Sequence, residues 1–227
     1  MRRLAVIPAR GGSKRLEKKN ILNFHGKPLI YWTIISALNS KLFDDVIVST
    51  DDEEIAKISV ESGASVPFLR KAHADDFSPV SLVTINVLEH FKSMKNVTYD
   101  LVVQLMPNCP LRNDKNINDA VNYFESRNIP SQISCFRYGW MNPWWAVELD
   151  KNNNPSPLFK EALTKRSQDL PNLFCPSGAI WIAKPEFLIK AKTFYCRGHI
   201  FWEMPWKAAI DIDDEADLFM AKSLFMA

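Results

Sequence analysis

The chain has 227 residues, of which 47% are hydrophobic, so it can bury one substantial core in a single domain with a sizeable appendage. Its 28 basic and 26 acidic residues leave a formal net charge of +2, which argues against a protein-wide field that would attract nucleic acid. No apolar run approaches the roughly 18 to 20 residues of a membrane span, so we expect no membrane contact.

The first half of the sequence alternates predicted strands with predicted helices. The apolar runs "LAVIPA", "DDVIVST", "YDLVVQLMP" and "SQISCFRY" predict buried strands. Between them, helical periodicity marks "LIYWTIISALNS", "DEEIAKISVESG", "SLVTINVLEHFKSM" and "NINDAVNYFESRN". This alternation predicts an α/β fold with a doubly wound, mostly parallel sheet, a Rossmann-like sandwich that binds ligands at the carboxyl ends of its strands.

The pattern changes over residues 138–171, which are rich in tryptophan and proline and have no clear period. Afterwards "GAIWIAKPEFLIKAK" predicts a strand and a helix, "AAIDID" a short strand, and "DEADLFMAKSLFM" a closing amphipathic helix. We therefore expect one domain over residues 1–227 with 138–171 inserted into it. Its aromatic side chains favour an interface over substrate contact.

The four cysteines, at positions 109, 135, 175 and 196, are widely spaced and form no CxxC pair. The opening apolar run is too short for a signal peptide. We expect reduced thiols in a cytoplasmic protein.

The opening loop "IPARGGSKRLEKKN" places the glycine pair Gly11 and Gly12 directly after the first predicted strand. Glycines let the backbone turn sharply and present N–H groups to an anion. The cations that follow suit several phosphate oxygens at once; they are Arg10, Lys14, Arg15, Lys18 and Lys19. The loop matches neither GxxxxGK[ST] nor GxGxxG. The alternative is a solvated basic loop, but its position after the strand favours a nucleotide polyphosphate.

A second cluster lies in "AIDIDDEADL", where Asp211 and Asp213 are two apart on the predicted short strand and so share a face. Two carboxylates on one face are hard oxygen ligands for Mg²⁺. The alternative is that Asp213 or Asp214 caps the last helix. The two interpretations are compatible if Asp211 and Asp213 bind the metal and Asp214 or Glu215 begins the helix. Among the histidines, His25 follows the basic loop and is expected to pack there in preference to binding phosphate.

In chain order, "IPARGGSKRLEKKNI", "GKPLI", "VIVSTDDEEIA", "PLR", "RSQDLP", "SGAIWI" and "IDIDDEADL" resemble the CMP-sialic acid synthetases, the acylneuraminate cytidylyltransferase family. The resemblance spans nearly the whole chain. It implies that the 2-hydroxyl of a nine-carbon α-keto acid sugar attacks the α-phosphate of CTP with Mg²⁺ as cofactor, giving the CMP-sugar and pyrophosphate.

The resemblance also implies roles for individual residues. The nucleotide-binding residues would be Arg10, Gly11, Gly12, Ser13, Lys14, Lys19, Asn20, Arg70 and Ser81. Gln104, Arg166 and Gln168 would bind the sugar, with Arg166 pairing its carboxylate. Asp211 and Asp213 would hold Mg²⁺, and Lys19, Arg10 and Asp213 would be the catalytic residues.

Three stretches bear on the sugar. The chain has "QLMPNCPLR" where many members have "QPTSPLR", and "ADDFSPVSLV" lacks the usual run of small hydroxyl residues. The "RSQDLP" and "NPWW" stretches resemble the branch that activates legionaminic or pseudaminic acid. The family further implies a homodimer that exchanges the insert, so Trp140, Trp144 and Trp145 would be interface residues and Arg166 could act in the partner's site.

Three alternatives stay open from the sequence. The first is a Kdo-type or other sugar nucleotidyltransferase with the same metal site. The second is a nucleotide-binding module without catalysis, although a sensor has no need of Lys19 together with the acidic pair. The third, nucleic-acid binding, is weak because the cations occupy one loop and the exposed aromatic candidates lie far away in sequence, beside acidic residues.

Overall fold

A computed structural model describes residues 1–73 and 78–225 of the chain. The strands are, in chain order, β1 (Arg3–Pro8), β2 (Asn23–Phe24), β3 (Lys27–Pro28), β4 (Asp45–Ser49), β5 (Leu101–Gln104), β6 (Ser131–Arg137), β7 (Val147–Leu149), β8 (Pro155–Pro157), β9 (Phe174–Ala183) and β10 (Ile200–Glu203). The helices are α1 (Leu29–Asn39), α2 (Glu53–Glu61), α3 (Val80–Lys95), α4 (Asp114–Glu125), α5 (Pro185–Ala191) and α6 (Glu215–Phe225). The predicted closing helix extends to Met226, which lies outside the described residues.

A six-stranded sheet forms the centre, in the order β10-β6-β9-β5-β1-β4. Strand β1 pairs in parallel with β4 and with β5, and β10 pairs in parallel with β6. Strand β9 is antiparallel to both of its neighbours, β5 and β6. The predicted α/β fold with a mostly parallel sheet is confirmed.

Helices cover both faces of this sheet, and β1 shows why its sequence is apolar throughout. Ala5 and Ile7 belong to the core on the side of α1 and α4, whereas Leu4 and Val6 belong to the core on the side of α3 and α5. All four side chains are fully buried. Because successive residues of a strand point to opposite faces, a strand covered on both sides needs a continuous apolar run.

The predicted strand in "AAIDID" is wrong. Residues Trp206–Ala209 form a short 3₁₀ helix, and the chain from 210 to 213 belongs to no sheet. Ile210 and Ile212 are nevertheless buried, packed with Leu16, Phe24 and Leu29 in a third cluster. The alternation of buried isoleucine and more accessible aspartate arises from packing against the opening loop and α6, without strand pairing.

Residues 138–171 lie between β6 and β9 and contain the small antiparallel hairpin of β7 and β8. This segment carries much exposed apolar surface: Trp140 is 85% exposed and Leu149 is 61% exposed. Trp144 and Trp145 are tethered to the segment, because their indole N–H groups donate to Pro171 O and Ala162 O, and Trp145 is still 40% exposed. Among the described residues, no helix combines the length and the apolar character needed to cross a membrane.

Candidate active site

A pocket of about 470 Å³ opens where β1 and β5 end. It contains side chains from the opening loop, the segment between α2 and α3, the start of α3, the loop after β5 and the acidic segment. The lining residues are Pro8, Arg10, Ser13, Lys14, Arg15, Leu16, Lys19, Asn20, Arg70, His73, Ser78, Val80, Val83, Met106, Pro107, Asn108 and Asp213. The pocket therefore lies at the carboxyl edge of the parallel strands, where open α/β sheets bind ligands.

The structure brings part of the predicted site together around this pocket and leaves part of it elsewhere. Predicted residues that line it are Arg10, Ser13, Lys14, Lys19, Asn20, Arg70 and Asp213. Predicted residues that do not line it are Gly11, Gly12, Ser81, Gln104, Arg166, Gln168 and Asp211.

The opening loop is held in place by its own side chains and by the residues after β4. Asn20 is buried and its Nδ2 donates to Arg10 O at 2.8 Å, which closes the loop across its base. The Gly11 N–H donates to Asp51 Oδ1 at 3.1 Å. A Cβ on Gly11 would lie 2.7 Å from Asp52 Oδ2, so glycine is required there by close approach. A Cβ on Gly12 would meet no protein atom within 4 Å, so the space beside Gly12 is open.

Two cations converge on one carboxylate at the far side of the pocket. Lys19 Nζ donates to Asp213 Oδ1 at 2.8 Å, and Arg15 Nη2 donates to Asp213 Oδ2 at 2.6 Å. Partial burial tends to raise the pKa of Asp213, but the hydrogen bonds and charges of Lys19 and Arg15 outweigh it and hold the pKa below its ordinary value. Asp213 is therefore ionised, and the two ends of the sequence meet at this ion pair.

Asp211 lies beside this cluster, in contact with the loop after β5. Its Oδ1 accepts a hydrogen bond from Asn108 Nδ2. Crowding of the carboxylate by protein, together with the charge of Asp213, raises the pKa of Asp211 to about 6. Because the residue also keeps contact with solvent, water moderates this effect. Asp211 and Asp213 are thus close enough to influence each other electrostatically.

The start of α6 resolves the two roles weighed for the acidic segment. Asp214 Oδ1 accepts from the Asp217 N–H at 3.0 Å, and Asp217 Oδ2 accepts in return from the N–H groups of Asp213 and Asp214. This reciprocal arrangement caps the helix through Asp214 and leaves the Asp213 carboxylate to line the pocket, whereas Asp211 does not line it. His25 packs as expected: it stacks on Phe225 and its Nε2 lies 3.1 Å from Lys222 O.

Arg70 enters the pocket from the segment between α2 and α3. Its backbone N–H donates to Thr50 O at 2.7 Å, and its Nη2 lies 3.9 Å from Asp51 Oδ1. The residue is only 4% exposed, and its Nε has no hydrogen-bond partner among the described residues. Burial lowers its pKa, opposed by the charge of Asp51. A buried guanidinium with an unused donor can hydrogen-bond to a ligand that enters the pocket.

Gln104 and Ser81 are more deeply buried than the sequence suggests. Gln104 ends β5 with no exposed surface, and its Oε1 accepts from Thr84 Oγ1 at 2.7 Å. Its Nε2 has no hydrogen-bond partner in the described chain, so a donor is left over on this side chain. Ser81 lies in the first turn of α3 and is 4% exposed, whereas Val80 and Val83 of the same helix reach the pocket.

The two predicted sugar residues of the insert lie outside this pocket. Arg166 is exposed and makes a two-point ion pair with Asp169, at 2.8 Å and 3.1 Å. Gln168 lines a separate pocket together with Tyr138 and Trp206. A single chain therefore does not place Arg166 or Gln168 with the cations of the opening loop.

Several pocket residues were not predicted from the sequence as ligands. Asn108, Met106 and Pro107 come from the loop after β5, and His73 and Ser78 flank residues 74–77, which lie outside the described part of the chain. The "QLMPNCPLR" stretch marked this loop as different from the family pattern, and that difference was the available signal for Asn108.

The donor set fits Mg²⁺ in part. In residues 1–73 and 78–225, no group of three or more His, Cys, Asp or Glu side chains is arranged to hold a metal ion. The protein supplies two neighbouring carboxylates, Asp211 and Asp213. Mg²⁺ is commonly bound by one or two carboxylates, with waters and substrate phosphates completing its octahedron. The acidic pair therefore fits a magnesium ion that arrives with a nucleotide.

Comparison with known proteins gives the family. A family model described as cytidylyltransferase matches residues 4–166. The pseudaminic acid cytidylyltransferase of Campylobacter jejuni is 34% identical, over 99% of this chain and 97% of that protein. The CMP-N,N'-diacetyllegionaminic acid synthase of Legionella pneumophila is 39% identical, over 86% and 83% of the two chains. The N-acylneuraminate cytidylyltransferase of Streptococcus agalactiae is 32% identical over 96% of this chain, which spans about half of that relative's length.

Solved structures agree on the fold. The CMP:2-keto-3-deoxy-manno-octonic acid synthetase complexed with CTP matches with a TM-score of 0.71 and 18% identity, over 100% of this chain and 99% of that one. A cytidylyltransferase of Leptospira borgpetersenii matches with a TM-score of 0.64 and 20% identity, over 100% and 87% of the two chains. The matched family model and the full-length relatives are consistent with a basic pocket at the carboxyl edge of the sheet, and we conclude that the chain belongs to the cytidylyltransferase family.

Proposed function

We propose that the protein transfers CMP from CTP to the 2-hydroxyl of a nonulosonic acid, a nine-carbon α-keto acid sugar, and releases pyrophosphate. The observation that supports this most strongly is the convergence of Lys19 and Arg15 of the opening loop with Asp213 of the acidic segment in one pocket. Relatives named for pseudaminic, legionaminic and N-acylneuraminic acids support the sugar class.

The cations of the pocket match the charge changes of this reaction. The sugar oxygen bonds to the α-phosphorus, the bond from that phosphorus to its bridging oxygen breaks, and pyrophosphate leaves with both electrons. Arg10 and Lys14 line the pocket beside Ser13 and are assigned to binding the triphosphate. Lys19 is assigned to the pyrophosphate as its charge develops, since positioning and electrostatic stabilisation account for most catalysis of phosphoryl transfer.

The acidic pair is assigned to Mg²⁺ and to the proton of the attacking hydroxyl. When bound, the ion neutralises phosphate charge and holds the triphosphate for attack. Asp211 and Asp213 would be its protein ligands. One of these carboxylates would accept the proton that leaves the sugar hydroxyl, and Asp213 is our assignment because it lines the pocket and Asp211 does not.

Selectivity for cytosine and for the sugar is assigned to other parts of the site. Arg70 would hydrogen-bond to the cytidine through its unused Nε donor, with Ser81 supporting this wall from α3. Gln104 would use its unpaired Nε2 to bind the sugar. We place the reaction in the cytoplasm, where CTP is made and used.

We further propose that the chain works as a homodimer built on the inserted segment 138–171, within a single nucleotidyltransferase domain. The exposed apolar side chains of this segment support the proposal: Trp140, Met141 and Leu149 are each more than half exposed. In a dimer that exchanges the segment, Arg166 and Gln168 would close the sugar pocket of the partner subunit. An active monomer in sedimentation at assay concentration would contradict this arrangement.

The second candidate, a Kdo-type enzyme, is favoured only by the fold match to CMP:2-keto-3-deoxy-manno-octonic acid synthetase. The test is pyrophosphate release with each of the four nucleoside triphosphates against pseudaminic, legionaminic, N-acetylneuraminic and Kdo acids. We expect release with CTP and a nonulosonic acid. Turnover with Kdo alone would favour the second candidate, and nucleotide binding without turnover would favour a sensor.

A further inference from the structure

Asn108 is a buried amide at the junction of the loop after β5 and the acidic segment, and the reaction scheme gives it no role. It is 4% exposed and lines the active-site pocket. Its Nδ2 donates to Asp211 Oδ1 and, at 3.3 Å, to Ile212 O. Its backbone O accepts from the Ile212 N–H at 2.9 Å. Asn108 therefore hydrogen-bonds to the acidic segment through both its backbone and its side chain.

These hydrogen bonds hold the acidic segment at Asp211 and at the buried Ile212. Ile212 has no exposed surface, and Asp211 and Asp213 flank it. No strand pairing holds residues 210–213, so the hydrogen bonds from Asn108 do the work that a sheet would otherwise do. Without them, Asp211 could rotate away from Asp213.

The loop that carries Asn108 is itself rigidly supported. Arg112 is 1% exposed and donates to Met106 O at 3.2 Å, Ala179 O at 2.7 Å and Thr33 Oγ1 at 2.7 Å. These bonds tie the start of the loop to β9 and α1. The backbone that carries Asn108 is therefore well supported, and its side chain can hold the Asp211 carboxylate in position.

We propose that Asn108 is a positioning residue that holds the Asp211 carboxylate in the orientation needed to bind the divalent cation. The inference rests on the proposed magnesium site and adds a residue to it. Outer-shell hydrogen bonds to a ligating carboxylate change metal affinity by about 10–100-fold when they are removed. The amide acts through its N–H donors, since Nδ2 faces two acceptors.

The test measures cation binding without turnover. Mn²⁺ is titrated into the full-length protein with saturating CTP and no sugar, and bound ion is followed by electron paramagnetic resonance. Wild type is compared with Asn108→Ala and with Gln132→Ala, a matched control. Gln132 is also a fully buried amide, its Nε2 donates to Ala120 O at 3.0 Å, and its Oε1 has no partner in the described chain, but it does not line the pocket.

We expect Asn108→Ala to weaken Mn²⁺ binding about 10–100-fold. We expect Gln132→Ala to lower the melting temperature by a similar amount and to leave Mn²⁺ binding unchanged. Asn108→Leu, closer in size to the native side chain, replaces Asn108→Ala if the latter does not fold. In an Asp211→Asn background, adding Asn108→Ala should produce no further loss, because both changes act on one ligand.

Each contrary result has a distinct meaning. If Asn108→Ala binds Mn²⁺ as tightly as wild type, the inference is overturned but the proposed metal site is not contradicted. An additive loss of affinity in the double variant has the same meaning. Equal weakening in Gln132→Ala also overturns it, because the effect would then follow from stability. Failure of wild type to bind Mn²⁺ with CTP contradicts the metal site itself and this inference with it.

Discussion

Replacing Lys19 by alanine tests whether the opening loop performs chemistry as well as binding. Lys19 is held at 2.8 Å from Asp213 and its side chain is only 17% exposed, so its charge acts where water screens it weakly. At an effective dielectric constant of about 20, two unit charges about 4 Å apart interact by about 4 kcal/mol. Desolvation consumes part of this, and removing a single donor to a developing charge lowers kcat by about 10²–10³, or about 2.7–4 kcal/mol.

We expect Lys19→Ala to lower kcat by about 10²–10³ and to weaken CTP binding by less than about tenfold, since the loop retains its other cations. Steady-state pyrophosphate release gives kcat, and calorimetry gives CTP affinity. Lys18→Ala is the matched control, because Lys18 pairs with Glu54 outside the pocket and is 60% exposed. Such an exposed ion pair contributes about 0–1 kcal/mol. A large loss of CTP affinity in Lys19→Ala with kcat preserved would refute the assignment.

Three further substitutions test the proposed metal ligand, the proposed sugar contact and the support of the loop after β5. Asp211→Asn should abolish Mg²⁺-dependent turnover while metal-free CTP binding changes less than about tenfold; tight CTP binding with normal turnover would contradict the metal assignment. Arg166→Ala should raise the sugar KM by about 10-fold or more and leave the CTP KM within about twofold, and equal effects on both would argue against a sugar role. Arg112→Met should lower the free energy of unfolding by about 3 kcal/mol in urea titration, since three buried acceptors lose their donor; an unchanged midpoint would show that they find other partners.

Much of the fold could be predicted because the signals are local. The uninterrupted apolar run of β1 and the helical period of α1 each follow from burial on known faces, and they appear where predicted. The segment "AAIDID" predicts a strand that the structure lacks, because buried Ile210 and Ile212 alternate with aspartates, the pattern of a half-buried strand. The hydrogen-bond partner of this segment is Asn108, in the distant loop after β5. The local periodicity of the sequence contains no information about that partner.

The same distinction applies to the site. Lys19, Arg10 and Asp213 were found from charge and position, and the structure puts all three on one pocket. Asn108 was not assigned, because an asparagine's role depends on its partners, and its partners Asp211 and Ile212 are distant in sequence. The close approach of Gly11 to Asp52 could not be predicted either, because the two residues are distant in sequence.

In the proposed reaction, this chain forms a phosphodiester between CMP and a nonulosonic acid. Product analysis by mass spectrometry tests it directly, with CTP, Mg²⁺ and an equimolar mixture of pseudaminic, legionaminic and N-acetylneuraminic acids. We predict a CMP-sugar and pyrophosphate in equal amounts, with pseudaminic or legionaminic acid preferred. Failure to consume CTP with any of these sugars, or release of free CMP without a sugar conjugate, would contradict it.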